Sequence, residues 1–137
     1  MDSKQHIAIV FYQHLAKLFY AIASIDKKIQ KVEVETLKKE ISVFNTITNL
    51  KMVNADIDPE HHIMATFDLL YFEEADGQTC YDDFIAFKKN YEALFTASLK
   101  KEILEISGKI AASFSNLNKS ELMLLANLSI EFKKTTP

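Results

Sequence analysis

The residues best suited to chemistry in this sequence are five clustered acidic side chains. Glu73, Glu74 and Asp76 stand close together, and Asp82 and Asp83 follow shortly after them. Carboxylate oxygens are the ligands that hard divalent cations prefer, and clustered carboxylates also attract basic partners. The cluster indicates a candidate site for a cation or a basic partner, with a solvated loop as the structural alternative.

The spacing of these acids resembles that of an EF-hand calcium loop. Glu74, Asp76, Gly77 and Asp83 occupy its third, fifth, sixth and twelfth places. Phe72 stands at the first ligand place, where it cannot coordinate, and Asp83 is too short for the usual bidentate contact. We name Glu74, Asp76 and Asp83 as candidate metal ligands of a degenerate loop.

Helix capping is a second explanation for acids at such positions. Residues spaced by three at a helix start form capping boxes, whose side chains satisfy free backbone N–H groups. Three pairs have this spacing at predicted helix starts: Gln30 with Glu33, Thr79 with Asp82, and Asn118 with Glu121. We favour capping over metal binding for these pairs.

Few other residues suggest chemistry. His61 and His62 are adjacent and so lack the i, i+4 spacing of a metal-binding helix. Cys80 is the only cysteine, which leaves no internal disulfide and no multi-thiolate metal site. With two glycines the chain cannot build a glycine-rich phosphate loop, and no catalytic motif is present. We predict no enzymatic activity and no cofactor besides the divalent cation considered above.

Charge and hydropathy exclude further classes of partner. The formal net charge is -3 and all 16 basic residues are lysine, so the chain lacks the basic face and the arginine forks that bind phosphate. We predict no nucleic-acid binding. His14 and Lys17 interrupt the apolar stretch from Ile7 to Ile25, and we predict neither a signal peptide nor a membrane span. The expected location is the cytoplasm.

Apolar residues at three-and-four spacing predict an all-α fold, a compact bundle of six or seven helices in one domain, residues 1–137. The predicted helices cover about residues 4–24, 31–44, 80–94, 99–114 and 119–132, and the third in chain order starts at Pro59 after the capping residue Asp58. Gly77 marks the end of this third helix or the turn that follows. Residues 50–55 fit either a helical turn or a loop. The first helix is apolar over most of its circumference, which places it at the centre. Lys88 and Lys89 are expected outside, and Leu122 inside.

A pattern of helix, short loop and helix occurs twice. The aligned residues are Ile22-Ala23 with Ile110-Ala111, Ile29 with Leu117, Lys31 with Lys119, and Glu33 with Glu121. On this pseudo-repeat the chain resembles the TerB-like proteins associated with tellurite resistance. Their helical domain carries an Ala-x-Asp-Gly-x-Ile-x-x-x-Glu element in each of two halves.

The two copies differ in how much of the family element they keep. The first keeps Asp26 and Glu33 and has Lys27 in place of the glycine. In the second, Phe114 stands in the aspartate position and Ser115 in the glycine position.

The resemblance covers about residues 10–133 and implies a bacterial, intracellular helical bundle linked to stress or tellurite resistance. It implies no catalytic mechanism. Acidic loops of the family have been considered as divalent-metal sites, so the resemblance implies Asp26 and Glu33 as candidate metal ligands.

Six aromatic residues need not all fit inside the bundle: Phe11, Tyr12, Tyr20, Tyr71, Phe72 and Tyr81. An exposed aromatic patch marks a protein-partner or self-association surface. We predict a non-catalytic TerB-like module that acts through contacts with an unidentified protein or as a homo-oligomer. The alternative is a divalent-cation-binding module that uses the acidic loops.

Overall fold

The computed structural model describes residues 3–25, 29, 31–47, 58–113 and 119–134. This part of the chain contains no strand and six α-helices: α1 (Ser3–Ser24), α2 (Lys31–Ile47), α3 (Pro59–Phe72), α4 (Gly77–Asn90), α5 (Ala97–Ser113) and α6 (Lys119–Lys133). A 3₁₀ turn, Glu92–Leu94, follows α4. The predicted all-α bundle is confirmed, whereas residues 50–55 lie outside the described residues.

Helix α1 forms the centre of the bundle, as its apolar circumference predicts. It contacts α3, α4, α5 and α6. Phe11, Tyr12, Leu15 and Phe19 are fully buried, and burial of one such apolar side chain contributes about 1.5 to 3 kcal/mol. The other helices are therefore arranged around α1.

The stretch His6–Ser24 of α1 is long and apolar enough to cross a membrane by length and composition alone. Within it, 61% of an 18-residue window is buried inside the protein. A helix at the centre of a bundle has the same composition, because it must bury most of its circumference. Enclosure by the other helices accounts for the apolar character of α1.

Aromatic rings connect α1 to α4 and α6. Phe95 lies edge-to-face with Phe11 and with Phe84, at centroid distances of 5.6 and 5.9 Å. Phe84 and Phe95 each lie 6.2 Å from the ring of Phe132 on α6. Such tilted and edge-to-face pairs add to the stabilisation from burial.

The starts of α3 and α4 can be compared with the capping and helix-end residues read from the sequence. Helix α3 begins at Pro59, directly after Asp58, as predicted, although the Asp58 side chain makes no capping hydrogen bond. Helix α4 begins at Gly77, earlier than predicted, because the Asp76 carboxylate accepts the N–H of Thr79. Gly77 therefore starts a helix instead of ending one.

Two predicted positions are wrong. Leu122, expected in the core, is 53% exposed, and Leu124 is buried on α6 in its place. Lys88, expected outside, is only 1% exposed. Leu122 was misassigned because α6 also carries the exposed apolar residues Met123 and Ile130, and Lys88 because its partners come from a distant part of the chain.

Lys88 is a buried cation with a complete set of partners. Its Nζ donates to the backbone carbonyl oxygens of Glu131 at 2.8 Å and Lys134 at 3.2 Å. It also pairs with Glu92 Oε1 at 2.6 Å. An ammonium group has three donor protons, so each finds an acceptor. These contacts attach α4 to the C-terminal end of α6, where a cation also interacts favourably with the helix dipole.

We expect Lys88→Met to lower the free energy of unfolding by about 2 to 4 kcal/mol, because it takes this donor from the Lys134 carbonyl oxygen and the Glu92 carboxylate and removes one of the two donors to the Glu131 carbonyl oxygen. Urea denaturation followed by circular dichroism measures the change. The matched control is Lys89→Met at an exposed neighbouring position, which should change stability by less than about 0.5 kcal/mol. Equal effects of the two substitutions would contradict this role of Lys88.

Candidate functional site

The candidate site is the loop between α3 and α4, which carries the predicted acidic cluster. Glu74 has a φ of 52°, in the left-handed region. The N–H groups of Glu74 and Ala75 donate to the carbonyl oxygens of Tyr71 and Leu70, at 3.2 and 3.0 Å. This is the Schellman ending of a helix, in which glycine usually occupies the left-handed position. The hydrogen bonds hold the loop in a tight reversal.

The loop is anchored to the end of α1. The Tyr20 hydroxyl donates to the Ala75 carbonyl oxygen at 2.7 Å, and the Ser24 hydroxyl donates to the Tyr20 carbonyl oxygen at 2.7 Å. Burial, followed by the nearby Cys80, raises the pKa of Tyr20, which keeps its hydroxyl protonated as a donor. A Cβ at Gly77 would lie 2.9 Å from Ser24 Oγ. A larger residue at this position would therefore displace the Ser24 side chain, whereas glycine fits without a shift.

Asp76 is the N-cap of α4. Its Oδ2 accepts the Thr79 N–H at 2.9 Å and the Thr79 hydroxyl at 2.8 Å. These two hydrogen bonds lower the pKa of Asp76, because they favour its ionised form. The capping box predicted for Thr79 and Asp82 is wrong in detail, since Asp82 accepts from Gln78 Nε2 at 3.0 Å instead. Asp76 therefore caps the start of α4.

Asp83 is paired with α1. Its Oδ2 lies 3.1 Å from Lys17 Nζ. One turn away on α1, His14 Nδ1 lies 2.8 Å from the Val10 carbonyl oxygen, and its ring stacks on Phe87 at a centroid distance of 4.4 Å. A carbonyl oxygen can only accept, so Nδ1 carries a proton. This polar row connects α1 to α4 beside the acidic loop.

The five predicted metal ligands therefore differ in whether they already have a partner within the fold. Asp76 and Asp83 each have a partner within the fold, and Glu74 stands just after the end of α3 in the left-handed position. Asp26 and the side chain of Glu33 lie outside the described residues, as does Asn118, the expected capping partner of Glu121. Within the described ranges, no three His, Cys, Asp or Glu side chains converge as a metal site would require. Cation binding at these residues stays a prediction.

Cys80 lies just behind the loop. Its thiol is buried, and burial raises its pKa, with the cation of Lys17 acting in the opposite direction. A nucleophilic cysteine needs a stabilised thiolate. The position of Cys80 thus agrees with a packing role.

Phe72 is the exposed aromatic residue that the sequence analysis anticipated. Its side chain is 85% exposed, whereas Phe11, Tyr12 and Tyr20 are buried. Leu69, one turn earlier on α3, is 54% exposed and extends the apolar surface. Beside Phe72 a cleft of about 460 Å³ opens towards the end of α1, lined by Tyr20, Ser24, Ile29, Tyr71, Phe72, Glu74 and Ala75. We call Phe72 with Glu73, Glu74 and Asp76 the acidic aromatic loop.

A second surface, which the sequence analysis missed, lies between α5 and α6. This groove has a volume of about 480 Å³. Ala97, Leu104 and Phe132 form its apolar part, and Lys100, Lys101 and Lys133 stand around it with Glu105 and Ser129. The adjacent Lys100-Lys101 pair, followed by Leu104 one helical turn later, was the available signal. We call this surface the basic groove.

No protein-family model, curated protein or solved structure matches this chain. The fold therefore defines its class, an all-α helical bundle built around its N-terminal helix.

We expect Asp76→Ala to lower the thermal midpoint at neutral pH, because it removes the acceptor of both Thr79 donors. Asp76→Asn should stay close to the wild type, since asparagine also caps helices. The pKa of Asp76 is lower in the folded protein than in the unfolded chain, where it is about 3.9. The stabilisation from the ionised Asp76 carboxylate is therefore fully present above about pH 3.9 and is lost as pH falls through the folded pKa. The asparagine variant should lose this part of the pH dependence.

Thermal unfolding with chelator and with calcium separates capping from metal binding in the same variants. If Asp76 only caps the helix, the thermal midpoints of Asp76→Ala and wild type should differ by the same amount in both solutions. Asp82→Ala is the exposed control. A midpoint of the wild type that rises with calcium, and does not rise in Asp76→Ala, would instead assign Asp76 to a cation site.

Burial lowers the pKa of His14 below 6.5, helped by Lys17 and opposed by the hydrogen bond to Val10 and by Asp83. The folded protein therefore binds fewer protons than the unfolded chain between the two pKa values. The resulting stabilisation is present above pH 6.5 and is lost as pH falls towards the folded pKa. Proton NMR titration should give His14 a pKa below 6.5. A measured value above 6.5 would contradict the packing of His14 on Phe87.

Proposed function

We propose that this protein is a non-catalytic TerB-like helical module that binds a protein partner through the acidic aromatic loop. The observation that carries the proposal is the 85% exposure of Phe72, the highest among the exposed large apolar side chains of the described residues. Large aromatic side chains supply much of the binding energy at protein interfaces. The proposed location is the cytoplasm.

Anchoring of the loop favours this use. The Tyr20 contact with Ala75 and the Schellman hydrogen bonds already hold the loop backbone in place. A partner that binds a preorganised loop loses less conformational entropy than one that must order it. Phe72 is thus presented on a rigid support.

The charges around Phe72 define the chemistry of the partner. Glu73, Glu74 and Asp76 are exposed next to the ring, and none of the three has a lysine neighbour in the loop sequence. A complementary surface offers an apolar pocket for the ring and basic side chains around it. We therefore propose a partner with a basic, apolar groove.

The stress or tellurite-resistance context comes from the family resemblance. It rests on the element that contains Asp26 and Glu33, and the all-α fold is compatible with it. The proposal of partner binding does not depend on that context.

Site-specific photo-crosslinking tests the proposal. A photoreactive benzoylphenylalanine at position 72, used in the cells that make the protein, should give one defined adduct, identified by mass spectrometry. The matched control carries the same group at position 35, on the exposed surface of α2. Charge reversal by Glu73→Lys with Glu74→Lys should reduce the adduct at least about tenfold.

Two results would count against a binding role for the loop. One is an adduct yield at position 72 no higher than at position 35. The other is an adduct that charge reversal leaves unchanged, because contact with the acidic loop would then be nonspecific.

A further inference from the structure

We infer that the partner of the acidic aromatic loop is a second copy of this chain, whose basic groove receives Phe72. The inference rests on the proposed function and names the partner. It joins two surfaces of one molecule that have opposite charge, one with an exposed ring and the other with an apolar groove.

The charges of the two surfaces are complementary. The chain as a whole carries a net charge of -3, yet Lys100, Lys101 and Lys133 surround the basic groove with one acid, Glu105. Across the described ranges, no ion pair engages any of these three lysines. The acidic aromatic loop carries Glu73, Glu74 and Asp76 within four residues of Phe72, and Asp76 also caps α4. The inferred contact places this acidic segment against the lysine-rich margin of the groove.

The groove also suits an aromatic side chain. Its volume of about 480 Å³ falls in the range of ligand-sized pockets, and Leu104 and Phe132 provide an apolar floor. A phenyl ring buried there contacts apolar side chains while its flanking acids stay at the basic margin. The contact therefore has an apolar centre and a charged periphery, the usual anatomy of a protein interface.

The occupant cannot be the loop of the same molecule. Tyr20 holds Ala75 against α1 at 2.7 Å, and the loop lies between α3 and α4 while the groove lies between α5 and α6. The two surfaces share no residue, so one copy can use both at once. Such a head-to-tail contact is heterologous, and it produces either a closed ring or an open chain of copies.

Sedimentation velocity of the purified protein tests the inference, at concentrations from about 5 to about 500 μM. The weight-average mass should rise with concentration above the monomer mass of 15.7 kDa. Raising the salt from about 0.05 to about 0.5 M should weaken the association, because the charges at its margin are screened.

Charge-reversal variants test whether the acidic aromatic loop and the basic groove are the surfaces in contact. Glu73→Lys with Glu74→Lys, and separately Lys100→Glu with Lys101→Glu, should each weaken association at least about tenfold. A mixture of the two double variants should associate again, because each loop then meets a groove of opposite charge. Phe72→Ser should abolish association without loss of helical circular dichroism. Glu35→Lys and Lys119→Glu, at exposed positions elsewhere, serve as charge controls and should leave it unchanged.

The outcomes separate this inference from the proposed function. A wild-type protein that stays monomeric throughout overturns the inference, and an adduct of position 72 with a different protein would then leave the proposed function standing. Association that survives Phe72→Ser and both charge reversals also overturns it, since the interface then lies elsewhere. If there is neither self-association nor a specific adduct, both proposals fail.

Discussion

The enclosure of α1 is the constraint on which the rest of the structure depends. This helix is apolar on most sides, so its surface is removed from water only when several helices surround it. Helices α3, α4, α5 and α6 all contact it. Two polar residues of α1 lie against its neighbours and have partners there. His14 bonds to Val10 and stacks on Phe87, and Lys17 reaches Asp83.

The same enclosure explains why buried polar groups connect the ends of the helices. A buried donor or acceptor without a partner costs more than a typical hydrogen bond contributes. Lys88 meets this requirement by donating to the last carbonyl oxygens of α6, and Tyr20 by donating to Ala75. Both contacts join segments far apart in sequence. The helix ends and the loop between α3 and α4 are therefore fixed by groups that the packing of α1 brings inside.

Patterns within one helix could be predicted from the sequence, and contacts between helices could not. The periodicity of α1 predicted its central place, and Asp58 followed by Pro59 predicted the start of α3. The start of α4 was missed because Gly77 resembles a helix end locally. Asp76 caps this start, and the glycine beside it is explained by its approach to Ser24, which lies more than fifty residues away along the chain. Of the candidate site, the exposed aromatic surface was anticipated, whereas the basic groove depends on how α5 and α6 pack.

The acidic residues at this loop fall into two groups, those with a role in the fold and those without one. Asp76 holds the start of α4, and Asp83 neutralises Lys17 on the central helix, so the fold accounts for both positions. The fold gives no such reason for Phe72, because an exposed phenyl ring adds nothing to the packing of the bundle and orders water around itself. Glu73 is likewise exposed beside it. The fold fixes the backbone of this loop but gives no reason for the exposure of Phe72 and Glu73. These two side chains are therefore the part of the molecule best suited to bind another molecule.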